Sequence, residues 1–269
     1  MIALVRGGRK LVERPVDPSV LAIAATDGLV RAGLLVDILT IREHGLRPLA
    51  VVTAITAQDD AGLVGKLTTP VESIRDQFLA IDRSESPASV KMGALTDGAT
   101  IETVHRWLVD RPRKGVVLDP VLTTSAGGVL LEGGELATLR QALLPHVDLL
   151  TPNLPETERL VGASMGSPRD VEHAAKSLLG MGVGNVLIKG GHAEWLDGAD
   201  LLAHDDALTW LPGRFIAGTR LRGSGCRLST SIACGLATGL TLLDAVDAAR
   251  RWLAPLLAAS AVEIEGPRG

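Results

Sequence analysis

"VLAIAATDGLVRAGLLVDILTIREHGLRPLAVVTAIT", Val20 to Thr56, decides the fold because it changes its apolar period twice. "VLAIAAT" (Val20 to Thr26) is a continuous apolar run of strand length, the pattern of a strand covered on both faces. "GLLVDILTIREHG" (Gly33 to Gly45) switches to helical spacing and ends on a glycine stop. "PLAVVTAIT" (Pro48 to Thr56) returns to a strand. The unit is βαβ, which lays two parallel strands side by side under a crossing helix.

The same alternation runs outward from this unit. Strands are expected at "SVKMG" (Ser89 to Gly93), "GVVLD" (Gly115 to Asp119), "VDLLT" (Val147 to Thr151) and "NVLIKG" (Asn185 to Gly190). Helices are expected over Ala99 to Asp110, Gly134 to His146, Pro155 to Val161 and Asp170 to Met181. Two weaker strands, near Asp200 to Ala203 and Thr209 to Leu211, precede helices over Ser224 to Thr238 and Leu242 to Ala259. The pattern specifies an α/β fold with a doubly wound sheet, whose ligands bind at the carboxyl ends of the strands. No composition break or repeat divides it, so one domain is expected over residues 19–269, after an N-terminal arm of residues 1–18 that ends in Pro15 and Pro18.

Composition narrows the function. The 269 residues are 46% hydrophobic but only 2% aromatic, with no Tyr, so the core is built from Ala, Leu, Val and Ile. A net charge of −4 without a long basic run argues against a nucleic-acid partner. No stretch has the apolar length of a membrane span, and Arg6, Arg9, Lys10, Glu13 and Arg14 leave no signal-peptide core, so a cytoplasmic location is expected. If Cys226 and Cys234 share one helix they stand ~12 Å apart along its axis, beyond disulfide reach. Two free thiols are expected.

Four motifs carry chemistry. A Walker phosphate loop is absent, because "GKLT" (Gly65 to Thr68) has Asp60 where the first glycine belongs and Leu67 where a hydroxyl should follow the lysine. "RGSGC" (Arg222 to Cys226) instead puts Gly223, Ser224 and Gly225 at a bare helix start, where amides and the helix field hold an anion worth ~0.5–2 kcal/mol. The same field is expected to lower the Cys226 thiol from about 8.5 toward neutrality, making it a proton acceptor. The motif also reads as a loop, a cap and a buried thiol. "LDPV" (Leu118 to Val121) and "TPNLPETERL" (Thr151 to Leu160) leave Asp119, Asn153 and Glu156 at strand ends, where carboxylates can hold Mg²⁺. Asn153 and Glu156 equally suit a helix cap ahead of Pro155. "IKGGH" (Ile188 to His192) sets Lys189 at another strand end, either solvated or facing phosphates.

These segments, with "AATDGLVRAGLLVDILTIREHG", "VVTAITAQD", "VKMGALTD", "VVLDPVL", "LLPHVDLLTPNLPETERLVG", "VLIKGGH" and "GSGCRLSTSIACGLATGLTLLDAV", resemble the hydroxymethylpyrimidine/phosphomethylpyrimidine kinases of thiamine biosynthesis, in the ribokinase-like superfamily. Sugar kinases of that superfamily usually have Asp in place of Cys226. The resemblance implies a ribokinase-like three-layer αβα sandwich with a mostly parallel central sheet, and ATP-dependent phosphorylation of 4-amino-5-hydroxymethyl-2-methylpyrimidine and/or its monophosphate. It implies ATP and Mg²⁺, a pyrimidine substrate and a homodimer. By position, Cys226 is the base that takes the CH₂OH proton, Gly223, Ser224 and Gly225 form the anion hole, and Lys189 contacts phosphate. Asn153, Lys189 and Gly225 bind the nucleotide, Asp119 and Glu156 neighbour the metal, and Asp37, Gln58, Ala94 and Val121 line the substrate pocket.

Departures from the family pattern cluster around that pocket. The early A-G-S-D-P-S-G-G-A-G-I-Q-A-D-L becomes "AATDGLVRAGLLVDI", with Ala25 for a glycine and Val30 and Arg31 for a glycine pair. Ala94 replaces a methionine expected against the pyrimidine. N-T-H before G-T-G-C becomes Arg220, Leu221 and Arg222, and K-S-G-D of a phosphate-covering flap becomes "SAGG" (Ser125 to Gly128). Arg31 and Arg222 suit an anionic substrate or a solvated surface. Three readings stay open: the pyrimidine kinase, a related kinase with an altered pocket such as a pyridoxal-like one, and a non-catalytic pyrimidine- or nucleotide-binding regulator.

Overall fold

The computed structural model describes residues 17–59, 62–123, 128–131, 133–191, 193–217 and 221–261. The expected arm over 1–18 falls outside these apart from Asp17 and Pro18, as do Asp60, residues 125–127 of the flap, His192 and Arg220.

Nine strands form one sheet: β1 (Ser19–Asp27), β2 (Arg47–Gln58), β3 (Leu63–Thr68), β4 (Ser89–Met92), β5 (Val116–Leu118), β6 (Leu149–Leu150), β7 (Val186–Ile188), β8 (Asp200–His204) and β9 (Ala207–Leu211), in the order β3-β2-β1-β4-β5-β6-β7-β8-β9. The six strands from β2 to β7 in that order are parallel, and β3, β8 and β9 are antiparallel additions at the edges. The helices are α1 (Leu34–Glu43), α2 (Val71–Ser84), α3 (Gly98–Asp110), α4 (Gly133–Thr138), α5 (Leu154–Val161), α6 (Pro168–Leu179), α7 (Ser224–Ala237) and α8 (Leu242–Ser260). This is a three-layer αβα sandwich with a mostly parallel central sheet, as the resemblance implies.

Strand parity builds the three layers. Val20, Ala22 and Ala24 of β1 join Leu34, Ile41, Leu228, Ile232 and Val246, so α1, α7 and α8 cover that face. Leu21 and Ile23 point the other way, into a core with Ile74, Phe78, Ile101, Trp107, Leu160 and Val171 from α2, α3, α5 and α6. Val117, Leu149, Leu187 and Leu202 continue the first face, and Val116, Leu118, Leu150 and Val186 the second. Burial on both faces is why these strands read as unbroken apolar runs.

The β1–α1–β2 unit, the central strands, the late hairpin β8–β9 and both C-terminal helices fall where expected. Two elements were not anticipated, β3 and α2. Four of the six β3 residues are exposed, as suits an edge strand; it contains the Gly65 to Thr68 stretch, which therefore makes no phosphate loop. The helix expected over Gly134 to His146 is present but changes pitch, passing from α4 through a wider turn at Leu139–Leu143 to a tight one at Leu144–His146, where Pro145 has no N–H to give.

Successive strands to either side of β1 carry the chain in opposite directions, so the sheet switches between β1 and β4, and sheets of this kind bind their ligands outside the carboxyl ends at such a switch. The register Ile23↔Met92↔Leu118↔Leu150 then aligns the residues that follow: Gly93, Asp119 and Thr151.

Candidate active site

Five of the helices facing the sheet differ in how they start. Side chains of Asp97, Asn153, Ser167 and Thr241 cap α3, α5, α6 and α8, each accepting from a first-turn amide. α7 begins instead at Gly223, with φ 73° and no side-chain cap, so its first-turn amides keep their donors for a ligand. A β-carbon on Gly223 would stand 2.5 Å from the Arg31 carbonyl oxygen, and one on Gly33 (φ +69°), ahead of α1, 2.5 Å from that of Ala25. Glycine is required at both.

The bare end meets an ion pair. Lys189 follows β7, its amide held by the Pro152 carbonyl at 2.8 Å, and its Nζ lies 2.7 Å from Asp119 Oδ1 beyond β5. A β-carbon on Gly225 would be 3.0 Å from that Nζ and 3.4 Å from Asp119 Oδ2. Three expected residues thus converge, with the uncapped helix start on one side and a cation and a carboxylate on the other. Burial pushes Lys189 down, but Asp119 and Glu156 more than offset it, so the ammonium stays charged.

Asn153 and Glu156 adopt the cap arrangement. Asn153 Oδ1 accepts from the Glu156 amide and Glu156 Oε2 from the Asn153 amide, both at 2.8 Å. The Asn153 side-chain oxygen is committed there, while its backbone pairs beside Lys189. Glu156 still belongs to the charged cluster: burial drives its carboxyl up to about 7, Lys189 pulls it down and Asp119 pushes it up. Two adjacent carboxylates that share one lysine suit a hard cation brought in with phosphate, which Mg²⁺ prefers to an all-protein cage. No cluster of three or more His, Cys, Asp or Glu that could hold a metal ion occurs among the described residues.

Cys226 is 9% exposed, and its sulfur accepts from the Gly33 amide. Its protonation corrects the sequence expectation. Burial pushes the thiol up to about 11, against the downward pull of Lys91 and with Asp37 and Asp119 adding to the rise. At neutral pH the resting sulfur is a thiol, because loss of solvent outweighs the helix field. Both cysteines are free, as expected.

Asp37 is the second correction. Expected at the pocket wall, it is 0% exposed and sealed beneath the site, with both oxygens on Lys91 Nζ at 2.7 and 2.9 Å and Oδ1 accepting from Thr230 Oγ1 at 2.8 Å. A carboxylate so enclosed meets no substrate directly. Lys91 and Thr230 were missed by the sequence reading, although a lysine inside the apolar "SVKM" strand was a visible signal.

Ala94 and Val121 come together in an apolar patch with Ala25, Ala54 and Leu130 at the carboxyl edge. Gln58 ends β2, where its Nε2 donates to Thr56 Oγ1 at 3.1 Å and that hydroxyl to the Thr26 carbonyl at 3.1 Å. On the rim, the Arg31 carbonyl abuts Gly223, and Arg222 Nη1 donates to the Asp59 carbonyl at 3.4 Å.

Residues 27–267 match the family model described as phosphomethylpyrimidine kinase. A hydroxymethylpyrimidine/phosphomethylpyrimidine kinase of Streptomyces coelicolor is 35% identical over 236 residues, 88% of this chain and 87% of that protein. The crystal structure of a phosphomethylpyrimidine kinase from Clostridium difficile 630 superposes with a TM-score of 0.78 at 27% identity, covering 89% of this chain and 99% of that one. The pyridoxal kinase from Staphylococcus aureus in complex with AMP-PCP and pyridoxal gives 0.81 at 25% identity, over 90% and 88%.

Proposed function

The chain belongs to the phosphomethylpyrimidine kinase family, and from that premise we propose that it transfers the γ-phosphoryl group of ATP to 4-amino-5-hydroxymethyl-2-methylpyrimidine and/or its monophosphate in thiamine biosynthesis. The observation that carries the reading is the meeting of Gly225 with Lys189 and Asp119 at the bare start of α7. Phosphoryl transfer asks little covalent chemistry of a protein and much positioning and charge neutralisation.

The first-turn amides of α7 collect negative charge on the migrating group, and Lys189 neutralises oxygens beside it. Asn153, Lys189 and Gly225 border the nucleotide phosphates. A Mg²⁺ ion would be held by Asp119 and Glu156 and supplies further neutralisation of phosphate oxygens. Cys226, as thiolate, takes the hydroxyl proton as the substrate oxygen bonds to phosphorus and the bond to ADP breaks; the thiol then returns the proton to water. Ala94 and Val121 offer an apolar wall to the ring, and the Gln58 amide matches an aminopyrimidine edge. The working unit is proposed to be a cytoplasmic homodimer, on the strength of the family resemblance. Among the described residues no helix is long and apolar enough to cross a membrane.

The likeness to a pyridoxal-bound kinase, together with Ala94 in place of a ring-contacting methionine, favours a second reading in which the alcohol is pyridoxal-like. Purified protein is incubated with Mg-ATP and either pyrimidine, its monophosphate or pyridoxal, and ADP is measured. Turnover with a pyrimidine supports the proposal, turnover with pyridoxal alone supports the second reading, and binding without turnover across all three makes the chain a regulator.

A further inference from the structure

Lys91 is the bulkiest of the fully buried side chains among the described residues, and no step above uses it. A leucine or methionine would fill the same volume in β4 without desolvating a charge, so the ammonium needs a reason. Its Nζ is anchored on both oxygens of Asp37, of which Oδ1 also accepts from Thr230 Oγ1. A β-carbon on Gly93 would stand 2.9 Å from that Nζ, so the amine lies against the first residue past β4, at the carboxyl edge.

Both neighbours of the pair lead to Cys226. Thr230 sits one helical turn beyond Cys226 on α7, on the same face. Asp37 lies in the first turn of α1, its amide on the Gly33 carbonyl at 3.0 Å, and the Gly33 amide reaches the sulfur. Strand β4 and helices α1 and α7 are therefore tied together beneath one atom.

We propose that Lys91 is a positioning residue for Cys226: clamped by Asp37 and Thr230, it is the fixed countercharge for negative charge on the sulfur. This deepens the reading of Cys226 as proton acceptor and rests on it. Lys91 remains protonated throughout and transfers nothing. The charged groups facing the sulfur are Lys91 from β4, Asp37 from α1, Asp119 beyond β5 and Lys189 beyond β7. After burial, Lys91 acts on the thiol most strongly, and it is the larger of the two pulls that favour the thiolate, ahead of the Gly33 amide.

The test uses a Cys234→Ala background, so that the ultraviolet absorbance of thiolate reports on Cys226; the chain has no Tyr to obscure it. Lys91→Met and the charge-free pair Asp37→Asn/Lys91→Met are compared with the parent. The expected result for Lys91→Met is a thiol titration displaced upward by about one pH unit, a tenfold change in ionisation, and an equal displacement of the alkaline limb of kcat, with KM for ATP within twofold; the double variant, which also loses the weaker upward push of Asp37, shifts in the same direction by less. The double variant leaves no unpaired buried charge and carries the test if the single one does not fold. A folded double variant whose thiol titration and pH–rate profile match the parent overturns the proposal. Cys226→Ala with full kcat would instead sink the proton-acceptor reading, while the absorbance titration still reports on Lys91.

Discussion

The α-carbon of Gly225 faces the Lys189 ammonium so closely that a β-carbon would lie 3.0 Å from Nζ. In the proposed mechanism, glycine here leaves room for the first amides of α7 and the lysine to share one anion. In Gly225→Ala the flexible lysine tip gives way, and alanine is a better helix former than glycine, so the melting temperature should change by only a few degrees. Activity should not survive as well: the methyl group displaces Lys189 from the anion's position, and kcat is expected to fall roughly 10–100-fold, in the range of one lost oxyanion donor. A full thermal melt beside steady-state kinetics checks this. Normal kcat in the variant would remove the anion hole from the mechanism.

Glu156 sets a pH dependence of stability. Its carboxyl is raised from 4.5 to about 7 in the folded chain, first by burial and then by Asp119, against Lys189. Below about pH 4.5 both folded and unfolded chains hold the proton and folding bears no penalty. As pH rises toward 7 the unfolded chain ionises first and stability is lost. Glu156→Gln keeps the capping geometry and removes the titration, so its Tm should equal the parent's near pH 4.5 and exceed it above pH 7, by up to about 3 kcal/mol of stability. A gain that is the same at both pH values would contradict the assignment.

Cys226 and Glu156 together predict a two-limbed rate profile. With Glu156 near 7 and Cys226 near 11, kcat for the pyrimidine alcohol should rise as Glu156 ionises and rise again toward pH 10 as thiolate accumulates. Glu156→Gln should abolish the lower limb and Cys226→Ala the upper, the latter lowering kcat about 10²-fold or more in the alkaline range with KM for ATP little changed. A parent profile flat above pH 8 would mean that the substrate oxygen needs no side-chain base.

What the sequence discloses follows from which forces are local. Strands β1, β4, β5 and β7 are legible because cover on both faces demands apolar runs, and the cap at Asn153 is legible because N-x-x-E with a proline is self-contained. β3 escapes because an exposed edge strand with Gly65 and Lys66 has no period to read, and α2 behind it buries only Ile74 and Phe78. Convergence of Gly225, Lys189 and Asp119 is foreseeable from strand ends alone. The state of Cys226 is not, since the local helix field favours the thiolate while burial by distant segments overrules it. Nor is Asp37: its partner Lys91 lies 54 residues away, and only packing shows that the carboxylate faces inward.

Val30 holds the conformation that a glycine would adopt freely. In the loop between β1 and α1 it has φ +55°, in the left-handed region, where a β-branched side chain is strained by about 1–2 kcal/mol. The side chain is 41% exposed and makes no large contribution to the core. Val30→Gly relieves the strain at the cost of roughly 0.5–1 kcal/mol from the greater freedom of the unfolded chain. A net gain of about 1 kcal/mol, or roughly 2–4 °C in Tm, is expected. Gly33→Ala, in the same loop, should go strongly the other way, since its φ is +69° and the new carbon would stand 2.5 Å from the Ala25 oxygen. Thermal melts of both variants decide the matter, and a Tm for Val30→Gly below that of the parent would show that the valine side chain stabilises the loop more than its backbone strains it.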